Sequence, residues 1–430
     1  MEKSAGSSQL VFEAGRDYVI AQSHFNRLVS DEGIRQRLFK WSRIENRIPS
    51  FVATAKKPGS QKLLIYNGSG GYGDQILTWP FAAVMKAYGF DVHVLVDPGN
   101  TSCWWNFPWI KGVYNVPIQY EQFKMFDYWA MFETVVNAEE HQDQIHPLDQ
   151  MLLKVGVNPD SVDPKLKCIR PNFTYLEAQS ALAFQGKRLG MYQLSAANPV
   201  RSLPPNDSAY LLSKIADTYP DIHWLALYDK FVPETYPKAV QCPKCAGSGK
   251  LALPAASPAP PVMIDAGTKS NEQFMAEVTK EIIAVKTDTQ HEICSKCKGS
   301  GTLRPNVQLY NAPVLRELWA MASHAAVVVG PDSMMVHVAG CMEIPCVGIW
   351  GPCDPSRRVK YYKHHLPVWK KEVCQFSPCF AYSGVFPRYC PPRANRAICE
   401  CMGAVAPQDV IEQIKKVLPL PTAAPTPQTP

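Results

Sequence analysis

Residues 327–352 read VVVGPDSMMVHVAGCMEIPCVGIWGP. An apolar run of strand length, Ala325–Gly330, stops at Gly330-Pro331. The polar pair Asp332-Ser333 follows, then an apolar stretch of helical length, Met334–Gly340. A second strand-like run, Cys346–Trp350, ends in Gly351-Pro352. Strand, polar turn, helix and strand in that order are one repeat of a parallel α/β sheet. Asp332 and Ser333 fall at the expected helix start, where free backbone amides and the positive helix end suit a diphosphate. His337 comes four residues after Ser333 and shares its helical face. An isolated histidine is most often structural. One turn from a polar helix start, at an expected cleft edge, His337 reads as a ligand-binding residue.

The same rhythm extends outward from this stretch. Upstream lie a helix over Val314–Ser323, a strand at Arg188–Leu194, a helix at Ser208–Thr218 and a strand at Ile222–Tyr228. The rhythm breaks between Val232 and Asn306, which hold Pro-rich filler (LPAASPAPPV) and two cysteine motifs. Downstream, Pro407–Val417 reads as a last helix, and PLPTAAPTPQTP has the composition of disorder. In the first half, KLLIYNG at Lys62–Gly68 is a strand, GSGGYGDQ a turn, Ile76–Met85 a helix, and DVHVLVD the next strand. Met125–Val136 is aromatic-rich and Leu148–Val155 looks helical. Apolar residues at loose helical spacing over Val19–Ile48 suggest one or two helices packing as an arm. The expected organisation is an N-terminal extension at 1–59, an α/β domain at 60–188, a second at 189–418 with an insertion at 232–306, and a tail at 419–430. Two such Rossmann-like domains place a ligand cleft between the carboxyl ends of their strands.

The glycine-rich turn, Asn67–Asp74 (NGSGGYGD), lies between strand and helix. Gly70, Gly71 and Gly73 let backbone approach a ligand, and helix N-terminal amides favour anions. The run is no Walker A motif, because the closing lysine and Ser/Thr are missing. Plain turn chemistry explains the glycines as well. Asp74 has two readings: a helix cap, or a carboxylate facing the cleft that takes the proton of an attacking hydroxyl.

Bulk properties exclude some classes. At 430 residues the chain is too long for one ordinary core. A net charge of +6 with scattered basic residues fits anionic ligands such as nucleotides and does not call for nucleic acid. No apolar run reaches membrane-spanning length, and the first residues lack the apolar core of a signal peptide. A reducing, cytoplasmic setting is expected, in which 14 cysteines point to metal before disulfides.

Cys242-Pro-Lys-Cys245-Ala-Gly-Ser-Gly249 and Cys294-Ser-Lys-Cys297-Lys-Gly-Ser-Gly301 are two copies of CxxCxGxG. Each pair offers two thiolates at knuckle spacing, and two knuckles complete a closed tetrahedral site. Structural zinc on Cys242, Cys245, Cys294 and Cys297 is expected, stapling an insertion with little core of its own. The repeat resembles the zinc modules of J-domain co-chaperones, although no J-domain and no full set of repeats is present. A later cluster, Cys374, Cys379, Cys390, Cys399 and Cys401, fits a second zinc site, a labile disulfide or buried thiols equally. Cys103, Cys168, Cys341, Cys346 and Cys353 read as small apolar residues.

Two motifs together carry a family resemblance: Gly73-Asp74 with Pro80 in GDQILTWP, and Asp332, Ser333, His337, Ala339, Pro345 and Gly351-Pro352 in the stretch quoted first. The chain resembles glycosyltransferase family 9, the bacterial heptosyltransferase group, over about 62–230 and 307–415. The resemblance implies the GT-B fold, with two Rossmann-like domains facing a central cleft, and an inverting transfer without a catalytic metal. It implies Asp74 as general base and Asp332, Ser333 and His337 as donor-binding residues. LSAANPVRSLP resembles the family's phosphate-contacting loop and adds Ser195 and Arg201, with Arg201 in place of the usual lysine. Met334 stands where the family has glycine, so it reshapes the donor site.

The expected function is transfer of a sugar from a nucleotide-diphosphate sugar to a hydroxyl of a glycan, lipid or other acceptor; a lipid acceptor would bring peripheral membrane contact. The alternative is a nucleotide-sugar-binding scaffold without turnover, with the zinc insertion as an interaction module. A nucleic-acid role through the knuckles is disfavoured, because the basic insertion has few aromatics for stacking.

Overall fold

The computed structural model describes residues 16–20, 61–68, 71–132, 145–197, 199–228, 250–252, 291–293, 306–310, 314–379 and 399–418. In the first half these form β1 (Tyr18–Val19), β2 (Gln61–Tyr66), α1 (Tyr72–Ala87), β3 (Phe90–Val96), β4 (Ile110–Asn115), β5 (Ile118–Gln119), β6 (Tyr128–Met131) and α2 (Pro147–Lys154). Next come β7 (Arg188–Gln193), α3 (Pro205–Thr218), β8 (Ile222–Leu227), β9 (Lys250–Ala252), β10 (His291–Ile293) and β11 (Val307–Tyr310). The remainder are α4 (Leu315–Ala322), β12 (Ala325–Pro331), α5 (Met334–Cys341), β13 (Cys346–Trp350), β14 (His365–Trp369) and α6 (Pro407–Val417).

Two parallel sheets organise these elements. The first has strand order β4-β3-β2-β6 and the second β11-β8-β7-β12-β13-β14. Central strands read as continuous apolar runs because both faces are covered. Leu63, Leu64, Ile65 and Tyr66 of β2 are all buried, as are all five residues of β13. In each sheet the chain winds one way and then the other. The reversal falls between β2 and β6 in the first sheet and between β7 and β12 in the second. Ligand crevices of open α/β sheets form at such reversals, beyond the carboxyl ends of the strands. Those ends carry the glycine-rich turn in the first sheet, and Gln193, Ser195, Asp332 and Ser333 in the second.

The two units are in direct contact. Helix α1 is buried on nearly every face from Gln75 to Met85, the mark of a helix held between two layers. One side covers β3, and the other meets α5. Trp79 sits edge-on to Trp319 of α4 at 5.6 Å between ring centroids and packs on Phe107 at 5.0 Å. A single apolar cluster therefore runs from Leu63 and Trp79 through Trp319 to Met335 and Val338. Burying a side chain of this size contributes roughly 3 kcal/mol.

The structure differs from the sequence expectations at several places. Tyr18-Val19 is not helical; it pairs antiparallel with Ile118-Gln119. Strands β4, β11 and β14 were not anticipated. Asn67–Asp74 does not end in a capping aspartate, because the residue preceding the helix is Gly71 and Asp74 lies in the first turn. The expected helices at Val314–Ser323 and Pro407–Val417 are present within a residue or two. Gly70, most of the N-terminal arm, the tail, and Cys242, Cys245, Cys294, Cys297 and Cys390 lie outside the described residues.

Candidate active site

The glycine-rich turn is held by polar contacts to the helix it opens. Asn67, at the end of β2, donates from Nδ2 to the Asp74 carbonyl at 3.1 Å and to Thr78 Oγ1 at 2.7 Å. Gln75 Nε2 donates to the Asn67 carbonyl at 3.1 Å, and Trp104 Nε1 donates to Gln75 Oε1 at 3.0 Å. These bonds hold the backbone of the first turn that carries Asp74. Its carboxylate folds back under Gly71, where an added Cβ would lie 2.9 Å from Oδ2, and it accepts the Gly71 amide. Asp74 is thus a first-turn carboxylate bonded to the residue before the helix, and not the helix cap.

Gly73 serves a different purpose. A Cβ there would lie 3.0 Å from His337 Cδ2. The first turn of α1 therefore reaches the second unit at the residue the sequence singled out. His337 and Asp332 are both buried, and His337 Nε2 is 3.9 Å from Asp332 Oδ1. Tyr362 OH and His337 Nδ1 share a hydrogen bond of 3.0 Å. The His337 pKa is lowered to about 4, first by burial and then by the charges of Arg358 and Arg201, with Asp332 opposing. The imidazole is neutral near pH 7, so its approach to Asp332 is not an ion pair.

Arg201 donates from Nη1 to the Asp332 carbonyl at 2.9 Å and lies 3.8 Å from the Asp332 carboxylate. Burial raises the Asp74 pKa above its ordinary value; the charges of Arg358 and then Arg201 oppose this, and Asp332 adds to it. The structure thus brings together Gly71, Gly73, Asp74, Arg201, Asp332 and His337. Ser333 joins them through Gln193, whose Nε2 donates to Ser333 Oγ and to the Ser195 carbonyl, both at 2.9 Å. Met334 is turned elsewhere. Trp319 Nε1 donates to its sulfur at 3.4 Å, and the side chain packs against the shared core.

Two residues of the site were missed from sequence. Gln193 ends β7 and also receives the Met335 amide on Oε1 at 3.3 Å, so it and not Ser333 serves the start of α5. Its signal was position alone, at the carboxyl end of a central strand. Arg358 lies in the loop after Gly351-Pro352. It is buried, donates from Nε to Cys353 Sγ at 3.3 Å, and its carbonyl is 3.2 Å from His146 Nε2. Nothing periodic marks it, because a loop arginine becomes buried only through the tertiary fold. Among the described residues no group of three or more His, Cys, Asp or Glu is arranged to hold a metal.

The geometry is an α/β pair of sheets with carboxylates, guanidinium groups and a helix start converging where the sheet ends face each other. Comparison with known proteins agrees with that class. A sequence model described as glycosyltransferase family 9 (heptosyltransferase) matches residues 271–389. That span contains Asp332, Ser333, Met334, His337 and Arg358 but neither Asp74 nor Arg201. Among solved structures, the ADP-heptose lipopolysaccharide heptosyltransferase II of E. coli is similar with a TM-score of 0.50 and 10% identity, covering 83% of this chain and 98% of that one. A glycosyltransferase of family 9 from Veillonella parvula is similar with a TM-score of 0.50 and 10% identity, covering 85% of this chain and 99% of that one. At such identity the likeness is one of fold. No curated protein sequence matches. The family match and the fold support a glycosyltransferase. No helix among the described residues is long and apolar enough to cross a membrane.

Proposed function

We propose that the protein transfers a sugar, with inversion, from a nucleotide-diphosphate sugar to an acceptor hydroxyl. The observation that carries this is the approach of the first turn of α1, through Gly73, to His337, which leaves Asp74 within the field of Arg358, Arg201 and Asp332 of the second unit. The acceptor oxygen attacks the anomeric carbon while the bond to the diphosphate breaks on the opposite face. Asp74 takes the acceptor's proton when ionised, a form that burial disfavours and two guanidinium groups favour. Arg201, Ser333 and the start of α5 receive the negative charge of the departing diphosphate. Neutral His337 supplies a hydrogen-bonding ring that does not compete with the cations. The name of the E. coli neighbour supports an ADP-linked heptose as the first donor to try.

Asp74→Ala is expected to lower transfer by about 10²–10⁴-fold, the usual worth of a positioned base, with nucleotide binding nearly intact. In the wild type kcat/KM should fall on the acid side through a pKa above the ordinary carboxylate value, because Asp74 works only when ionised. Turnover retained by Asp74→Ala would remove Asp74 from this role. Donor binding with neither transfer nor donor hydrolysis across a broad acceptor panel would favour the scaffold reading.

We also propose structural zinc on Cys242, Cys245, Cys294 and Cys297. The pairing of β9 with β10 supports it. Lys250, which follows the first CxxCxGxG, is paired with Ile293, which precedes the second. The first motif therefore ends, and the second begins, next to the same end of the antiparallel ribbon.

A further inference from the structure

Cys168 lies in the segment that crosses from α2 to β7, and Cys341 is the last residue of α5. The two come together only in the tertiary structure. Cys168 Sγ donates to the Gly340 carbonyl at 3.5 Å, which sets its thiol beside that of the next residue, Cys341. Cys168 is partly exposed, whereas Cys341 is buried. The Cys341 thiol also touches Tyr362, whose ring covers Gly340 and whose hydroxyl reaches His337. A continuous contact therefore runs from an accessible sulfur, through a buried one, to the candidate active site.

We infer that Cys168 and Cys341 are a peroxide-oxidisable thiol pair that closes to a disulfide, tying the crossover segment to the helix that bears His337. The Cys168 thiolate attacks hydrogen peroxide, the O–O bond breaks, hydroxide leaves and Cys168 becomes a sulfenic acid. The Cys341 sulfur then attacks the Cys168 sulfur. Hydroxide departs, takes up the Cys341 proton and leaves as water. The two thiols lose two electrons and two protons, and the peroxide becomes two waters. Neighbouring thiols need only close to the S–S bonding distance of about 2 Å. The contact with Cys341 holds the Cys168 thiol below its ordinary value against burial and the Glu343 charge, and nearby Lys363 adds to the lowering. The contact with Cys168 and then burial raise Cys341, so Cys168 is the sulfur that meets peroxide, and Cys341 reacts afterwards, as its proton passes to the departing hydroxide. The closed disulfide would take Cys341 from Tyr362 and stiffen the end of α5.

The test needs no sugar substrate and so stands apart from the proposed function. The full-length protein is treated with hydrogen peroxide, alkylated without reduction and peptide-mapped. The expected result is a linked Cys168–Cys341 peptide that disappears with dithiothreitol and is absent from Cys168→Ser. The thermal midpoint should shift on oxidation in the wild type and stay unmoved in that variant. Because position 168 is partly exposed, Cys168→Ser keeps the test valid even if Cys341→Ser fails to fold. Recovery of both residues as free thiols, or of Cys168 as a sulfinic acid with Cys341 reduced, would overturn the inference.

Discussion

Gly73 is a position where one hydrogen atom does what no side chain can. Its missing Cβ is what lets the first turn of α1 lie against His337. Alanine favours a helix over glycine by about 1 kcal/mol, whereas here its methyl group would push the imidazole away by a few tenths of an ångström. Gly73→Ala is therefore expected to leave the thermal midpoint almost unchanged while lowering kcat/KM at least about tenfold, in line with the sensitivity of catalysis to small misplacements. A variant as active as the wild type would show that the contact is packing alone. The same scale explains Met334. Its identity signalled a changed donor site, but Trp319 draws the thioether into the core, and no sequence pattern shows which way a methionine turns.

At the scale of elements, the crossover segment is clamped to α4 by a buried ion pair. Arg316 donates from Nε to Glu177 Oε1 at 2.5 Å, from Nη2 to the Asn172 carbonyl, and lies over the Phe173 ring at 5.6 Å. Arg316→Met should destabilise by roughly 3 kcal/mol, the low end for breaking a buried pair, because Glu177 retains some water. Burial opposes ionisation of Glu177, but its bonds to Arg316 and to Thr174 outweigh that and lower its pKa. The linked stability is present in full above the unfolded glutamate value and is lost as pH falls through the lower folded value. Denaturant titrations at falling pH should show this loss in the wild type and much less of it in the variant. Strands were legible in proportion to their coverage. Central β2, β7, β8, β12 and β13 announced themselves as apolar runs. Strands β4, β11 and β14 are sheet edges with half-buried residues, and β14 carries Pro367, which an edge tolerates.

At the scale of the whole molecule, the sheet units share a core and the ribbon β9–β10 forms a sheet of its own. The metal and the candidate active site should therefore be separable. Mass spectrometry under native conditions is expected to find zinc, lost on treatment with a strong chelator or in Cys242→Ser. Near-ultraviolet circular dichroism and nucleotide binding should change little, because neither sheet depends on the cysteine motifs for its pairing. Protein that is purified without zinc under metal-replete conditions would sink the zinc proposal. Loss of both core signals on chelation would instead make the metal part of the main fold.

The sequence by itself determined the alternation of strands and helices, the two turns where strands hand over to helices, and the residues at those turns. These are local matters, set by apolar periodicity, by glycines that permit tight turns and by polar residues at helix starts. Only the tertiary structure decided what those turns face. Gly73 and His337 are separated by most of the chain, and their approach depends on α1 being buried between its own sheet and α5. Gln193 and Arg358 gain their roles the same way, one from the sheet reversal between β7 and β12, the other from a loop pressed against α2. Burial and electrostatic coupling act through space, and a linear pattern records neither.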